Sequence, residues 1–229
     1  MTTHHQLYEH LRIARSVVYA FVVLTLALFL AACSSNEASS STTSSADQAA
    51  SSSDTGFTPN PAYTDLSAYP AADFSNYDCA KDYQGTYHFV DMTVRDVVDE
   101  LDKGSTFVLY TGYDKCPWCN SVINYFNDIL TERGITAAYI DTRKDPSWQN
   151  NMDIDDYDLF VKRFEESIDE DEDGTKHLYV PEIFFVKDGK LIGDHRGTVP
   201  SQKEAEDLLT QEQIDEYKAS INQMLDQLE

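Results

Sequence analysis

Between Tyr87 and Leu225 the hydrophobic positions change period several times, and each change predicts an element. Tyr87 to Asp91 is strand-like. Val94, Val97, Val98 and Leu101 recur at helical spacing, with Thr93 placed to cap the helix and Gly104 beyond its end. Thr106 to Tyr110 is a short, nearly unbroken apolar run, which predicts a buried strand. Cys116 to Arg133 reads as a helix with Val122, Phe126, Ile129 and Leu130 on one face and Gly134 as its stop. Ala137 to Ile140 is a strand, and Tyr157, Phe160, Val161, Phe164 and Ile168 mark a further helix. Ile183 to Val186 and Leu191 to Gly193 are strands joined through Asp188-Gly189, a strong hairpin signal. Ser201 with Glu204, and Thr210 with Gln213, both match the capping-box pattern. The last helix carries Ile214, Tyr217, Ile221, Met224 and Leu225. The order of elements describes an α/β fold, a mixed central sheet with helices on both faces.

The start of the chain follows another pattern. Arg12 and Arg15 precede Val17 to Ala32, sixteen residues without a charge. A basic start, a short apolar run and small residues at its end describe a secretory signal over residues 1–32. A spanning helix needs about 20 apolar residues, so this run is short for a permanent anchor. It ends in Leu30-Ala31-Ala32-Cys33, which resembles the bacterial lipobox. That resemblance implies cleavage before Cys33 and a lipid on its sulfur, so the rest of the protein is expected at the extracytoplasmic face of the cell membrane, held by its N-terminal lipid only. Residues 33–56 then read as a flexible tether. Ten of the twenty residues 34–53 are Ser, too polar a stretch to offset its own ordering entropy. Residues 57–86 are transitional, with Pro59, Pro61 and Pro70 breaking regular structure while Phe57, Tyr63, Leu66, Phe74 and Tyr77 could pack on a neighbouring surface. Residues 87–229 form the folded domain.

Forty acidic against 17 basic side chains leave a formal net charge of −23. Phosphate backbones are bound by clustered Lys and Arg, so nucleic acid is excluded as the main partner. Hydrophobic residues at 41% supply a packed core, which excludes a chain disordered throughout. Four cysteines are too few for a disulfide-stapled scaffold, so their positions matter more than their number.

Two of them lie in Cys116-Pro117-Trp118-Cys119, after a buried strand and at the start of a helix. Thiols three positions apart at a helix start can close a small disulfide ring with little backbone movement. Cys116 would sit at the helix N-terminus, where free N–H groups and the macrodipole favour a thiolate. Lys115 adds a positive charge beside it. Cys119, one turn further in, would be more buried and less ionised. That asymmetry gives an attacking and a resolving sulfur. Pro117 suits the first turn, where its missing N–H costs nothing. Half a zinc site competes as a reading, but no second Cys pair or His pair follows at ligand spacing. An inert structural disulfide is the other alternative.

With these residues the chain resembles the thioredoxin superfamily. One match is strand, Cys-Pro-Trp-Cys, helix; the other is Val180-Pro181 shortly before the strand Ile183 to Val186. The resemblance spans about residues 87–229 and implies a thioredoxin-like fold, with Pro181 in the cis form against the Cys pair and the Val180 backbone pairing with an extended substrate peptide. A Pro at the start of a strand is the plain structural alternative. Within the superfamily the chain is similar to thioredoxin-like bacterial lipoproteins and bacteriocin transport accessory proteins. It departs from thioredoxin in three places. Pro117-Trp118 replaces Gly-Pro, Lys115 replaces a Trp, and Tyr110 stands where the family has a buried acid that assists the second Cys. The stretch from Thr142 to Leu178 is longer than in a minimal member.

The acidic run Asp169 to Gly174 starts like an EF-hand loop, but the position that should carry Glu is Val180, so a solvated loop is the better reading. Cys79 reads as a spectator thiol, and Trp148 as a lid or core plug. A thiol peroxidase would need Pro and a Thr or Ser where this chain has Leu109 and Tyr113. The expectation is an extracytoplasmic, lipid-anchored thiol–disulfide oxidoreductase. Cys116 and Cys119 are catalytic, Pro117, Trp118, Val180 and Pro181 contact substrate, and Lys115 tunes Cys116. Its partners would be exported proteins or peptides and a recycling redox partner, with no metal or organic cofactor. A non-catalytic accessory lipoprotein using the same peptide groove is the alternative.

Overall fold

The computed structural model describes residues 57–143, 154–205 and 207–229. The segments expected to be a signal (1–32) and a tether (33–56), with Cys33, and Trp148 lie outside them. Among the described residues, no helix is long and apolar enough to cross a membrane.

Five strands form the main sheet: β1 (Phe89–Asp91), β2 (Phe107–Gly112), β3 (Ala137–Asp141), β6 (Glu182–Lys187) and β7 (Lys190–Arg196). Their order across the sheet is β1-β3-β2-β6-β7. β3 runs parallel to both β1 and β2, while β6 is antiparallel to β2 and β7 to β6. The sheet is therefore mixed. Side chains alternate across it with period two. On β2, Val108 and Tyr110 enter one core, and Phe107 and Leu109 enter the other.

Helices cover both faces. α1 (Val94–Lys103) and α3 (Ile154–Arg163) pack on the Leu109 side, α2 (Pro117–Arg133) and α4 (Gln211–Leu225) on the Tyr110 side. α1 begins with the expected box: the Thr93 side chain accepts Asp96 N–H at 3.1 Å, and Asp96 accepts Thr93 N–H at 2.8 Å. Gly104, at φ 78°, closes it. The β6–β7 hairpin turns on Asp188 (φ 52°) and Gly189 (φ 72°), both left-handed as a type I′ turn demands.

Three expectations need correction. The Ser201–Glu204 box opens no helix, because the buried Gln202 turns its amide onto the carbonyls of Glu204 and Asp207 at 3.3 and 3.0 Å. Only the Thr210–Gln213 box caps a helix. The helix expected through Ile168 stops at Arg163. A 3-10 turn over Glu165–Ser167 follows, held where Arg196 takes the Ser167 carbonyl at 2.6 Å and Ser167 donates to Asp194 at 2.5 Å. The acidic run is also not a plain loop. It is the tip of a small hairpin, β4 (Asp169–Glu170) with β5 (Lys176–His177), in which Lys176 pairs with Glu170 and His177 with Asp171.

Residues 57–86 pack against the same cores as the strands. Tyr63, Phe74 and Tyr77 join the α2 side, Leu66 joins the α1 side, and Ala71 bridges Val90.

Candidate functional site

β2 ends at Gly112, and the chain crosses three residues to reach Cys116, the N-cap of α2. An N-cap side chain normally supplies an oxygen to one of the unpaired N–H groups of the first turn. Here a sulfur does so: Cys116 Sγ accepts the Cys119 N–H at 3.1 Å. Asn120 steadies the turn by donating to the carbonyls of Asp114 and Cys116 at 2.7 and 3.0 Å.

The two sulfurs differ as their positions require. The Cys116 thiol is held below its ordinary range by its hydrogen bond with Cys119, by the Cys119 and Trp118 N–H groups and by the Arg143 guanidinium, against the opposing effect of burial. Cys119 is fully buried, and desolvation, followed by the neighbouring Cys116, pushes its thiol well above the usual range. Cys116 itself keeps only 3% of its surface. Little of its surface is therefore open to a partner.

Val180 stands against the sulfur. Its carbonyl oxygen lies 3.6 Å from Cys116 Sγ, and the Val180–Pro181 peptide is cis. Val180 is half-buried, Pro181 is buried, and Tyr179 beside them is exposed. Trp118 is half-buried against the core and Pro117 is exposed. The fold thus brings Cys116, Cys119, Val180 and Pro181 together from α2 and the start of β6. The fold is thioredoxin-like. What decides it is the strand order, with the Cys pair at the β2–α2 junction and the cis-Pro facing it ahead of β6.

No family model matches the chain, and no curated protein matches it. Solved structures do. One, described as an oxidoreductase candidate with a thioredoxin fold, is 15% identical, with 48% of this chain and 83% of that chain covered and a TM-score of 0.36. An uncharacterized thioredoxin-like protein from Clostridium perfringens is 16% identical over 62% of this chain and 82% of its own, TM-score 0.34. A poplar thioredoxin h variant is 15% identical over 69% and 92%, TM-score 0.34.

Lys115 does not face the sulfurs. Its side chain is exposed, with the ammonium donating to the Asn76 carbonyl at 3.2 Å and lying 3.5 Å from Asp114. A cation that bears on Cys116 is Arg143, just past β3, whose guanidinium sits 4.0 Å from the centroid of the Tyr113 ring. Sequence spacing gives no hint of Arg143, because it arrives through the parallel pairing of β3 with β2. Cys79 is half-buried on the flank of α2, with its N–H on Asn120 and its carbonyl on Asn124. Burial pushes its thiol up to about 11, so it is protonated at neutral pH. A groove of about 740 Å³ runs beside the Cys pair rather than over it, lined by Cys79, Pro117, Tyr125, Leu208 and others. Among the described residues, no group of three His, Cys, Asp or Glu is placed to hold a metal ion.

Proposed function

We propose that the protein is a thiol–disulfide oxidoreductase, lipid-anchored through Cys33 outside the cytoplasm, that acts on exported proteins. The observation that carries this reading is Cys116 Sγ, capped by the Cys119 N–H at 3.1 Å and facing the Val180 carbonyl at 3.6 Å. The Cys116 thiolate attacks a substrate disulfide, one substrate sulfur leaves, and a mixed disulfide forms. Cys119 then attacks Cys116, the Cys116–Cys119 bond forms, and the second substrate sulfur leaves as a thiol. The substrate gains two electrons and two protons, and the reverse sequence oxidises a dithiol. The Val180 backbone and the Trp118 ring would hold the visiting chain. Location and lipidation rest on the sequence of residues 1–33.

The near-complete burial of Cys116 favours a second reading, an accessory lipoprotein that binds peptides without redox turnover. Reduction of a disulfide-bonded peptide, driven by dithiothreitol, separates the two. An oxidoreductase accelerates it and loses the acceleration in Cys116→Ser. An accessory protein shows none, and its double Ser variant keeps the cellular role.

A further inference from the structure

Gly112, the last residue of β2, has no side chain, and its surroundings show what that omission permits. A Cβ built there would lie 3.2 Å from Cys119 Sγ, 3.2 Å from the Tyr110 hydroxyl oxygen and 2.7 Å from the Tyr110 ring. The sulfur and the phenol thus flank one small volume that any larger residue would fill. Tyr110 has no exposed surface, and its hydroxyl meets no partner at hydrogen-bonding geometry. An unpaired buried hydroxyl costs roughly 1–3 kcal/mol, so its retention beside a reactive sulfur calls for a reason. Packing explains the ring, which stacks with Phe126 and meets Phe89 edge-on, but not the oxygen.

Resting on the oxidoreductase reading above, we propose that Tyr110 is the positioning residue for the resolving step: its hydroxyl turns toward Cys119 and donates a hydrogen bond to that sulfur as it becomes a thiolate. Cys119 must lose its proton to attack Cys116 in the mixed disulfide. The Cys116–Cys119 bond forms, the bond to the substrate sulfur breaks, and the substrate departs with the electron pair and a proton. In that step Tyr110 keeps its own proton and stabilises the developing negative charge. Burial holds the Tyr110 phenol far above its ordinary range, so it stays a donor at any working pH, and its effect on Cys119 runs in the direction a donor gives. Cys116 on the same helix and the Tyr113 backbone after β2 also bear on Cys119, and Cys119 in turn bears on the phenols of Tyr77 from the N-terminal extension, Tyr139 of β3 and Tyr217 of α4. Tyr63 supplies a control, since its hydroxyl is also buried and unpartnered but its charged neighbours are Glu229, Arg133 and Asp226 rather than the sulfurs.

The experiment uses the reduced protein and the aryl disulfide dithiobis(nitrobenzoate). Attack by Cys116 releases one thionitrobenzoate, and resolution by Cys119 releases the second. In Tyr110→Phe the first release keeps its rate and the second slows by about tenfold, the loss of one hydrogen bond to a charged group. Tyr63→Phe leaves both near wild type. Gly112→Ala, which wedges a methyl between sulfur and phenol, repeats the slowing in a chain that retains the hydroxyl. The Cys119 titration, followed by carbon NMR of β-labelled cysteine, moves upward in Tyr110→Phe. An unchanged second release, or equal slowing of both releases with a lower melting temperature, overturns the proposal. If the wild type releases only one equivalent, the redox reading fails, and the NMR titration alone then decides whether Tyr110 acts on Cys119.

Discussion

The sulfur of Cys116 stands 3.6 Å from the carbonyl oxygen of Val180, while its other side takes the N–H of Cys119. One sulfur is therefore shared between a helix terminus, which favours its thiolate, and a peptide wall, where a visiting chain would be held.

The first consequence is a pH profile. Because the Cys116 thiol lies below its ordinary range, its alkylation by iodoacetamide should reach half its limiting rate at a lower pH than free cysteine, near ~8.5. Arg143→Gln should move that midpoint up, most at low salt, and Lys115→Gln should move it less. Mass spectrometry locates the adduct. The same depression implies that the reduced wild type gains stability as pH rises from the folded Cys116 midpoint to the unfolded one, since there the unfolded chain binds more protons.

Glu182 titrates in the opposite sense. Burial raises its carboxyl to about 8, against the opposing pull of Arg196, which lies 3.3 Å from one of its oxygens. A carboxyl with a raised folded value holds its proton better in the native state. Its contribution is whole below the unfolded value and is lost as pH rises through the folded one. The wild type should therefore lose melting temperature between about pH 5 and pH 8 relative to Glu182→Gln. Parallel curves for the two chains would contradict this.

Much of the fold was legible because its signals are local. Thr93 and Asp96 lie three residues apart and make their box; Asp188-Gly189 makes its turn; Cys116 and Cys119 lie one turn apart on a helix whose start Pro117 marks. What stayed hidden depends on distant partners. Ser201 has the same local pattern as Thr210, and only the buried contacts of Gln202 decide that no helix follows. Arg143 reaches the site because β3 pairs with β2, and Glu182 is buried because it opens a central strand. The separation of Lys115 from the sulfurs has the same origin, an Asn76 carbonyl supplied by the N-terminal extension.

The two boxes provide a paired test of that distinction. Thr93→Ala should cost about 1 kcal/mol in urea unfolding, the usual value of a lost N-cap. Ser201→Ala should stay within about 0.5 kcal/mol, because its hydroxyl caps no backbone N–H among the described residues and meets side chains at the surface, Glu216 at 3.3 Å and Gln213 at 3.2 Å.

Gly189 should be intolerant of any side chain. Its φ is 72°, and a Cβ there would approach the Leu101 carbonyl oxygen to 2.2 Å. Gly189→Ala is expected to destabilise by about 2 kcal/mol or more, since left-handed strain and a backbone clash add. A loss below about 0.5 kcal/mol would show that the hairpin can shift off α1.

The most direct test of the account is a trap. The Cys119→Ser chain, expressed with its own signal and separated on non-reducing gels after acid quenching, should carry exported proteins in disulfide linkage to Cys116. These adducts should vanish with reductant and in the Cys116→Ser, Cys119→Ser double variant. Absence of adducts from the single variant, or their persistence through Cys79 in the double variant, would contradict an exchange centre at Cys116.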